Sequence, residues 1–278
     1  MGVKTPLTLV QANQLFSNYQ FTTLNPSISG IIDTTYFLSD GNNHYVIKRF
    51  ERAKASDIQR ERQLLKALEQ CHINVPRYLE SSENWHLYTR LAGNSPSHPS
   101  LPQLKIVART LAKMHHCTQK MSSTKVILSD KEMQRQRQVL KQKSYYSFHK
   151  LKALDLSSRQ HSGLIHGDLF LDNILFDADK IGIIDFIDAA QGSLAFDLGV
   201  TAMAWTLRGA SIGRLKLFLQ SYNQMAPLKI SFEALRIEVI RASLFYTLNR
   251  INNNAGDYGH NHIWLKKVKQ LARGTHDR

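Results

Sequence analysis

Apolar and polar residues alternate in the first third of the chain in the pattern that is typical of β-strands. The segments TYFLS at 35–39 and HYVIKRF at 44–50 are rich in β-branched and aromatic residues, and the polar run DGNN separates them. Turn residues between two such segments predict a β-hairpin. A third strand-like segment, HLYTRL, follows at 86–91. The beginning of the chain is therefore expected to form a small antiparallel sheet.

Helical spacing of apolar residues takes over elsewhere. Ile58, Leu64 and Leu68 recur at the period of an α-helix that ends before Pro76. The same periodicity predicts further helices at 103–116, 213–225, 232–251 and 262–272. The stretch GNSPSHPSLP is rich in Gly, Ser and Pro and is typical of a linker. We therefore predict two lobes, residues 1–92 and 93–278, of mixed α and β structure.

One strand-like region, LIHGDLFLDNILFDADKIGIIDF at 164–186, interrupts the helical part. The apolar runs ILF and IGIIDF flank the polar turn DADK, which predicts a second hairpin. Such a hairpin brings Asn173, just before its first strand, and Asp185, at the end of its second strand, to one edge. Amide and carboxylate oxygens suit Mg²⁺. Asn173 and Asp185 are therefore the predicted metal ligands, and Asp168 in the preceding loop is free to act as a base.

The spacing His166, Asp168 and Asn173 fits the H-x-D-x4-N pattern of kinase-like phosphotransferases, with Asp185 as the following metal-binding residue. Matches at four fixed positions arise by chance in about one chain in a thousand of this length. The pattern therefore indicates phosphoryl transfer from a nucleoside triphosphate, and it does not distinguish ATP from GTP.

The predicted phosphate clamp lies in the first lobe. Lys48 stands on the second strand of the hairpin, and Glu61 stands in the next helix, where its carboxylate can orient the lysine toward the α- and β-phosphates. A glycine-rich loop of the form G-x-G-x-x-G is absent from the sequence. The segment ISGIIDTTYFL offers instead Gly30, Thr34 and Thr35 as groups that face the phosphates.

These motifs together resemble the aminoglycoside phosphotransferase and choline kinase superfamily of protein-kinase-like small-molecule kinases. The resemblance rests on VIKRF, the RERQLLKAL helix followed by NVP, HGDLFLDNILF, IIDF and LAFDLG. The segment GIIDTTYFL is similar to the entry segment of type II homoserine kinases, which are the nearest group. The resemblance implies an α+β, protein-kinase-like two-lobed fold with a small antiparallel-sheet N-lobe and a larger, mainly helical C-lobe.

The resemblance also implies roles for single residues. Asp168 becomes the catalytic base, Asn173 and Asp185 the magnesium ligands, and Lys48 with Glu61 the clamp on the phosphates of ATP. His166 and Asp197 become structural residues that hold the catalytic loop. The predicted acceptor contacts are Asp188, for a cationic group, and Arg241 and Tyr246, which share a helix face.

The function that follows is an ATP-dependent kinase that phosphorylates a hydroxyl group of a small metabolite, with homoserine the leading acceptor. A related enzyme acting on an aminoglycoside or a choline-like amino alcohol is the first alternative. A nucleotide-binding pseudokinase or a nucleic-acid-associated regulator is the second. The net charge of +14 and the basic, aromatic stretch 131–159 favour nucleic acid. No nucleic-acid-binding motif accompanies them, so an ordinary basic helix surface is the preferred interpretation.

Composition adds expectations about location. No apolar run reaches the roughly 18 residues of a membrane span, so no membrane association is expected. The two cysteines, Cys71 and Cys117, are too few for a disulfide framework, and we interpret both as small buried thiols. That interpretation predicts a soluble protein of the reducing cytoplasm.

Overall fold

A computed structural model of the chain describes residues 3–28, 33–127, 134, 138, 163–206 and 212–252. The chain forms two compact units, one comprising Met1–Asn94 and Leu175–Ile187 and the other Ser95–Ile174 and Asp188–Arg278. The first crossover lies close to the boundary that the Gly, Ser and Pro-rich stretch predicts. Residues 175–187 also belong to the first unit, which the sequence did not predict, because no linker-like composition marks that segment.

The first unit contains a five-stranded antiparallel sheet. Its strands are β1 Thr23–Pro26, β2 Thr34–Ser39, β3 His44–Arg49, β4 Tyr78–Ser82 and β5 Trp85–Thr89, and they lie in the order β1-β2-β3-β5-β4. The predicted hairpin is confirmed, with Ser39 paired to His44, and the Asp40 carboxylate accepts hydrogen bonds from the turn amides of Asn42 and Asn43 at 2.9 and 2.7 Å. The helices of this unit are α1 Leu9–Leu15 and α2 Ala55–Gln70. The sequence prediction lacked α1, β1 and β4, which are short.

The two faces of this sheet have different partners. Tyr36, Leu38 and Ile47 point into an apolar cluster that α1 closes with Phe16. The opposite face carries Lys48 and Tyr88, and α2 lies over it. Tyr88 of β5 donates a hydrogen bond to Glu61 of α2 at 2.8 Å. The alternation of β3 therefore separates a core face from a polar face.

The second predicted hairpin is also confirmed, as β7 Ile174–Asp177 and β8 Lys180–Ile183. Asn94 pairs with Phe176, and the Asn74 side chain donates to the carbonyl of Ile181 at 3.2 Å. Gly93 has a φ of +106°, and a Cβ atom there would lie 2.5 Å from the Phe176 carbonyl oxygen. Glycine is therefore required where the chain passes the hairpin.

Helices dominate the second unit, as predicted. A capping box of Ser100 and Gln103 begins the helix Leu101–Thr118, labelled α3. The helix Leu194–Thr206, labelled α4, is apolar on all sides, and nearly every residue in it is buried. Gly163–Ile165 pairs antiparallel with Ala190–Gly192. The remaining bounds are α3 Leu101–Thr118, β6 Gly163–Ile165, β9 Ala190–Gly192, α4 Leu194–Thr206, α5 Ile212–Asn223 and α6 Phe232–Asn252. The α+β class is confirmed, and the predicted helix at 262–272 lies outside the described residues.

The interpretation of the cysteines as small buried thiols is wrong. Cys71 is exposed just after α2, Cys117 is half-buried in α3, and neither is a free thiol. The redox argument for a cytoplasmic location therefore loses its basis. In the part of the chain that the structure describes, no helix combines the length and apolar character of a membrane span. Nearly all of the basic stretch 131–159 falls outside that part.

Candidate active site

The loop that follows β6 presents Asp168. Gly167 takes a φ of +77°, and the Asp168 carbonyl accepts hydrogen bonds from the Phe170 amide at 2.8 Å and the Asn173 side chain at 2.7 Å. The same Asn173 nitrogen lies 3.3 Å from the Asp168 carboxylate. The structure thus brings two of the predicted site residues together. Both contacts use the Asn173 amide nitrogen.

Asp197 anchors this loop from the N-terminal turn of α4. Its fully buried carboxylate accepts hydrogen bonds from the backbone amides of His166 at 3.0 Å and Gly167 at 2.8 Å. Burial raises the pKa of Asp197, but interactions with His115, His166 and the Gly167 amide together outweigh burial and lower the pKa below its ordinary value. Asp197 therefore stays ionised and holds the loop by charge-assisted hydrogen bonds.

His115 and Tyr222 complete the support, and sequence reasoning missed both. His115 lies 3.1 Å from the Asp197 carboxylate through Nε2 and 2.7 Å from the Tyr222 hydroxyl through Nδ1. Both side chains are buried and come from helices far from the loop in sequence. No spacing signal could have identified them, since they resemble ordinary residues on helices.

A cavity of about 340 Å³ lies beside Asp168 within the second unit. Asp188 and Tyr246, both predicted acceptor contacts, line it. Arg241, the third predicted acceptor contact, does not line the cavity. Its side chain is buried, and its guanidinium lies 3.6 Å from the Glu238 carboxylate of the same helix. The described lining consists of Lys125, Val126, Ile127, Gly167, Asp168, Asp188, Ala190, Phe245, Tyr246 and Asn249.

Tyr246 is fixed against the loop that carries Asp168. Its hydroxyl donates a hydrogen bond to the Gly167 carbonyl, and its ring packs edge-on against Phe170 with centroids 4.8 Å apart. Burial and the neighbouring Asp168 carboxylate raise the pKa of Tyr246 well above its ordinary value. Tyr246 therefore remains a neutral hydrogen-bond donor on the cavity wall.

The first unit holds Lys48 and Asp185 together. The Lys48 ammonium lies 3.1 Å from the Asp185 carboxylate. The backbone of Asp185 has a φ of +69°. Burial lowers the pKa of Lys48, but the carboxylates of Asp185 and Glu61 more than offset this and raise the pKa above its ordinary value. Lys48 therefore carries its positive charge at neutral pH.

Glu61 contacts Tyr88 in this structure, and the ion pair of Lys48 is with Asp185. Burial raises the pKa of Glu61 to about 7, against the opposing effects of Lys48 and of the Tyr88 hydrogen bond. Glu61 consequently changes charge near neutral pH, beside the lysine that it is predicted to orient.

The raised pKa of Glu61 predicts a pH-dependent stability. The folded protein favours the protonated Glu61 carboxyl, because its pKa there lies above the ordinary 4.5. This contribution to the free energy of unfolding is complete below pH 4.5 and is lost as the pH rises through about 7. The free energy of unfolding should fall by about 3 kcal/mol across this window. Glu61→Gln should remove most of that fall in urea unfolding curves between pH 5 and 8. Glu69→Gln, an exposed change in the same helix, serves as the control, and equal pH slopes in all three proteins would contradict the assignment.

The structure places two of the three other predicted phosphate contacts in different surroundings. Thr34 is fully buried, and its hydroxyl donates to Glu51 at 2.7 Å, so it supports the sheet. Thr35 is the cross-strand partner of Lys48 and shares its face of the sheet. Gly30 lies outside the described residues.

The donor chemistry of Asn173 and Asp185 fits magnesium. Both offer hard oxygen ligands, and Asp185 already contacts a cation, the ammonium of Lys48. Among the described residues, no group of three or more His, Cys, Asp or Glu side chains could hold a metal ion. Mg²⁺ is commonly bound through one or two carboxylates and completes its shell with water and substrate phosphates.

The sequence profile of a family described as phosphotransferase enzyme family matches residues 23–228. Among curated proteins, the homoserine kinase of Methylobacillus glycogenes is 26% identical over 91% of this chain and 88% of its own length.

Two solved structures share the fold. An amicoumacin kinase in complex with AMP-PNP and Ca²⁺ superposes with a TM-score of 0.70 at 15% identity, over 96% of this chain and 92% of its own. A microcompartment-associated aminopropanol kinase gives a TM-score of 0.67 at 18% identity, over 95% and 94% of the two chains. The kinase-like fold that the motifs predict is therefore confirmed.

Proposed function

Since the chain belongs to the phosphotransferase enzyme family, we propose that it transfers the γ-phosphoryl group of ATP to the hydroxyl group of homoserine. Family membership makes the chain an enzyme that transfers phosphate to a hydroxyl group of a small molecule. This membership favours the enzyme over the pseudokinase and nucleic-acid alternatives. The identity of the acceptor and the roles of single residues belong to the proposal.

The observation that carries the proposal is the position of Asp168, in a loop held by Asp197 and on the wall of a cavity. In the proposed reaction, Asp168 orients the acceptor hydroxyl and takes its proton as the oxygen attacks the γ-phosphorus. The bond from that phosphorus to the bridging oxygen breaks, and ADP leaves with the electron pair. The Asn173 and Tyr246 hydrogen bonds keep the loop in place during this step.

Homoserine is favoured as the acceptor by two observations. Curated relatives over most of the chain carry the name homoserine kinase. The cavity of about 340 Å³ is at the small end of the range of ligand pockets, which suits a compact metabolite better than a multi-ring aminoglycoside.

Asn173 and Asp185 would hold the magnesium ion, which when bound neutralises the charge of the β- and γ-phosphates. Lys48 would exchange its contact with Asp185 for the α- and β-phosphates of ATP. Glu61 would keep Lys48 in place through charge attraction. These assignments follow the kinase pattern and the donor chemistry of the residues.

Removing the Asp185 carboxylate should strongly weaken magnesium-dependent nucleotide binding. Asp185→Ala leaves the Lys48 ammonium without its 3.1 Å partner and takes away one proposed metal ligand. Calorimetric titration with a non-hydrolysable ATP analogue should show at least a tenfold weaker affinity in the presence of Mg²⁺ and little change in its absence. Asp179→Ala, an exposed change in the neighbouring hairpin turn, is the control. Equal affinities for Asp185→Ala and wild type would rule out the metal role.

The test of the function itself is a coupled ADP-release assay with homoserine, 3-aminopropanol, ethanolamine, choline and an aminoglycoside. We expect homoserine to give the highest kcat/KM. An amino alcohol is the second candidate, because the Asp188 carboxylate lines the cavity and can receive an ammonium group. ATP hydrolysis that no member of this panel stimulates would refute the proposal.

A further inference from the structure

The acceptor cavity contains an ion pair that the kinase pattern does not require. The Lys125 ammonium lies 3.0 Å from one carboxylate oxygen of Asp188, and both side chains line the cavity with Asp168. Asp188 is a predicted acceptor contact, whereas Lys125 has no place in any of the motifs. The cavity wall therefore carries adjacent positive and negative groups within reach of a small ligand.

The backbone holds the two residues side by side. The segment containing Lys125 pairs with β9, since the Gln191 amide donates to the Lys125 carbonyl at 2.7 Å and the Ile127 amide donates to the Gln191 carbonyl at 3.0 Å. The Gln191 side chain also accepts from the Ser123 amide at 3.1 Å. Asp188 lies two residues before β9 begins. The pair thus stands on two extended segments whose hydrogen bonds fix their spacing.

Structural stabilisation does not explain the pair. The Asp188 side chain is 67% exposed and that of Lys125 is 35% exposed. Ion pairs with this exposure contribute little to stability, because water and salt screen them. Each member can therefore exchange its partner for a ligand group of opposite charge at small cost.

We propose that Lys125 and Asp188 recognise the charged end of an α-amino acid acceptor, with Lys125 binding the carboxylate and Asp188 binding the ammonium group. This inference rests on the proposed function. An α-amino acid carries its two charges on one carbon atom, so they match two opposite charges that already lie in contact. In homoserine, the hydroxyl lies two methylene groups beyond that carbon and can extend toward Asp168 on the same cavity wall.

The pair also separates amino acids from amino alcohols. Both kinds of acceptor offer an ammonium group to Asp188, but an amino alcohol brings no carboxylate to Lys125. A site built to bind a polar group discriminates strongly against an analogue that lacks it, because its own group then loses its partner. Lys125 therefore acts as a specificity-determining residue and Asp188 as a general ammonium contact.

Three acceptors that differ by one charged group test this assignment. Homoserine carries both groups, 3-aminopropanol lacks the carboxylate, and γ-hydroxybutyrate lacks the ammonium. In ADP-release assays, Lys125→Met should lower the ratio of kcat/KM for homoserine to that for 3-aminopropanol by about 10- to 100-fold. Asp188→Asn should lower the ratio for homoserine to γ-hydroxybutyrate by a similar factor. Lys120→Met, at an exposed position outside the cavity, should leave both ratios at their wild-type values.

A binding measurement separates this inference from the proposed function. L-α-aminobutyrate is homoserine without its hydroxyl group, so it cannot accept phosphate but can occupy the charged end of the cavity. Calorimetry should detect its binding to the wild-type protein, with at least tenfold weaker affinity for Lys125→Met and for Asp188→Asn.

Three results would overturn one claim or the other. If wild type uses 3-aminopropanol as well as homoserine, or if Lys125→Met leaves the ratio unchanged, the inference fails and the kinase function stands. If L-α-aminobutyrate binds as predicted but no acceptor is phosphorylated, the proposed function fails and the binding site stands. Melting curves serve as the check that each variant is folded, and the exposure of the pair leads us to expect wild-type melting temperatures.

Discussion

Asp168→Asn should reduce kcat by about 10² to 10⁴-fold and leave ATP affinity nearly unchanged. The substitution preserves the shape of the side chain, and an amide oxygen can still accept the Asn173 hydrogen bond, but the base that takes the acceptor proton is lost. Steady-state kinetics with the best acceptor, together with calorimetry for the nucleotide, separate the two effects.

The matched control for Asp168→Asn is Asp172→Asn. Asp172 lies in the same loop with an exposed side chain, and its backbone carbonyl accepts a hydrogen bond from Ser95. Turnover near the wild-type value is expected for the control. If Asp168→Asn also turned over at that rate, Asp168 could not be the base.

The largest effect on stability is expected for Asp197→Ala. Removing this buried carboxylate leaves the amides of His166 and Gly167 and the His115 ring without their shared acceptor. Loss of one member of a buried, charge-assisted network costs about 3–5 kcal/mol. Urea unfolding followed by circular dichroism should show a corresponding decrease in the free energy of unfolding.

A comparison of two Asp197 variants tests the network more closely. Asp197→Asn keeps one oxygen acceptor for the loop amides and should cost less than Asp197→Ala. Asp179→Ala, in the exposed hairpin turn, should change stability by less than about 0.5 kcal/mol. A cost below about 1 kcal/mol for Asp197→Ala would show that the loop does not depend on this carboxylate.

The parts of the fold that the sequence predicts are those encoded locally. The hairpin at 34–49 follows from alternating apolar residues around a polar turn, and the proximity of Asp168 to Asn173 follows from a loop of five residues. The strands β1 and β4 were missed because four or five residues contain too little periodicity, and β1 is largely exposed.

Contacts between distant segments left no sequence signal. Lys125 is one of 36 basic residues and meets Asp188 across 63 positions, so its place in the cavity depends on the pairing of its segment with β9. His115 meets Asp197 across 82 positions, and a buried histidine in an amphipathic helix resembles any other core residue. The cysteine interpretation failed for the same reason, since apolar spacing in a helix does not determine which side chains end up exposed.

The left-handed backbone of Asp185, with its φ of +69°, has an evolutionary consequence. Glycine adopts that conformation without steric cost, whereas an L-residue with a Cβ atom pays about 1 kcal/mol, somewhat less for aspartate. Considered for backbone conformation alone, glycine would be preferred at this position, although it would remove the ion-pair partner of Lys48. If aspartate is nevertheless retained at this position in evolution, the contribution of its carboxylate must exceed this conformational cost.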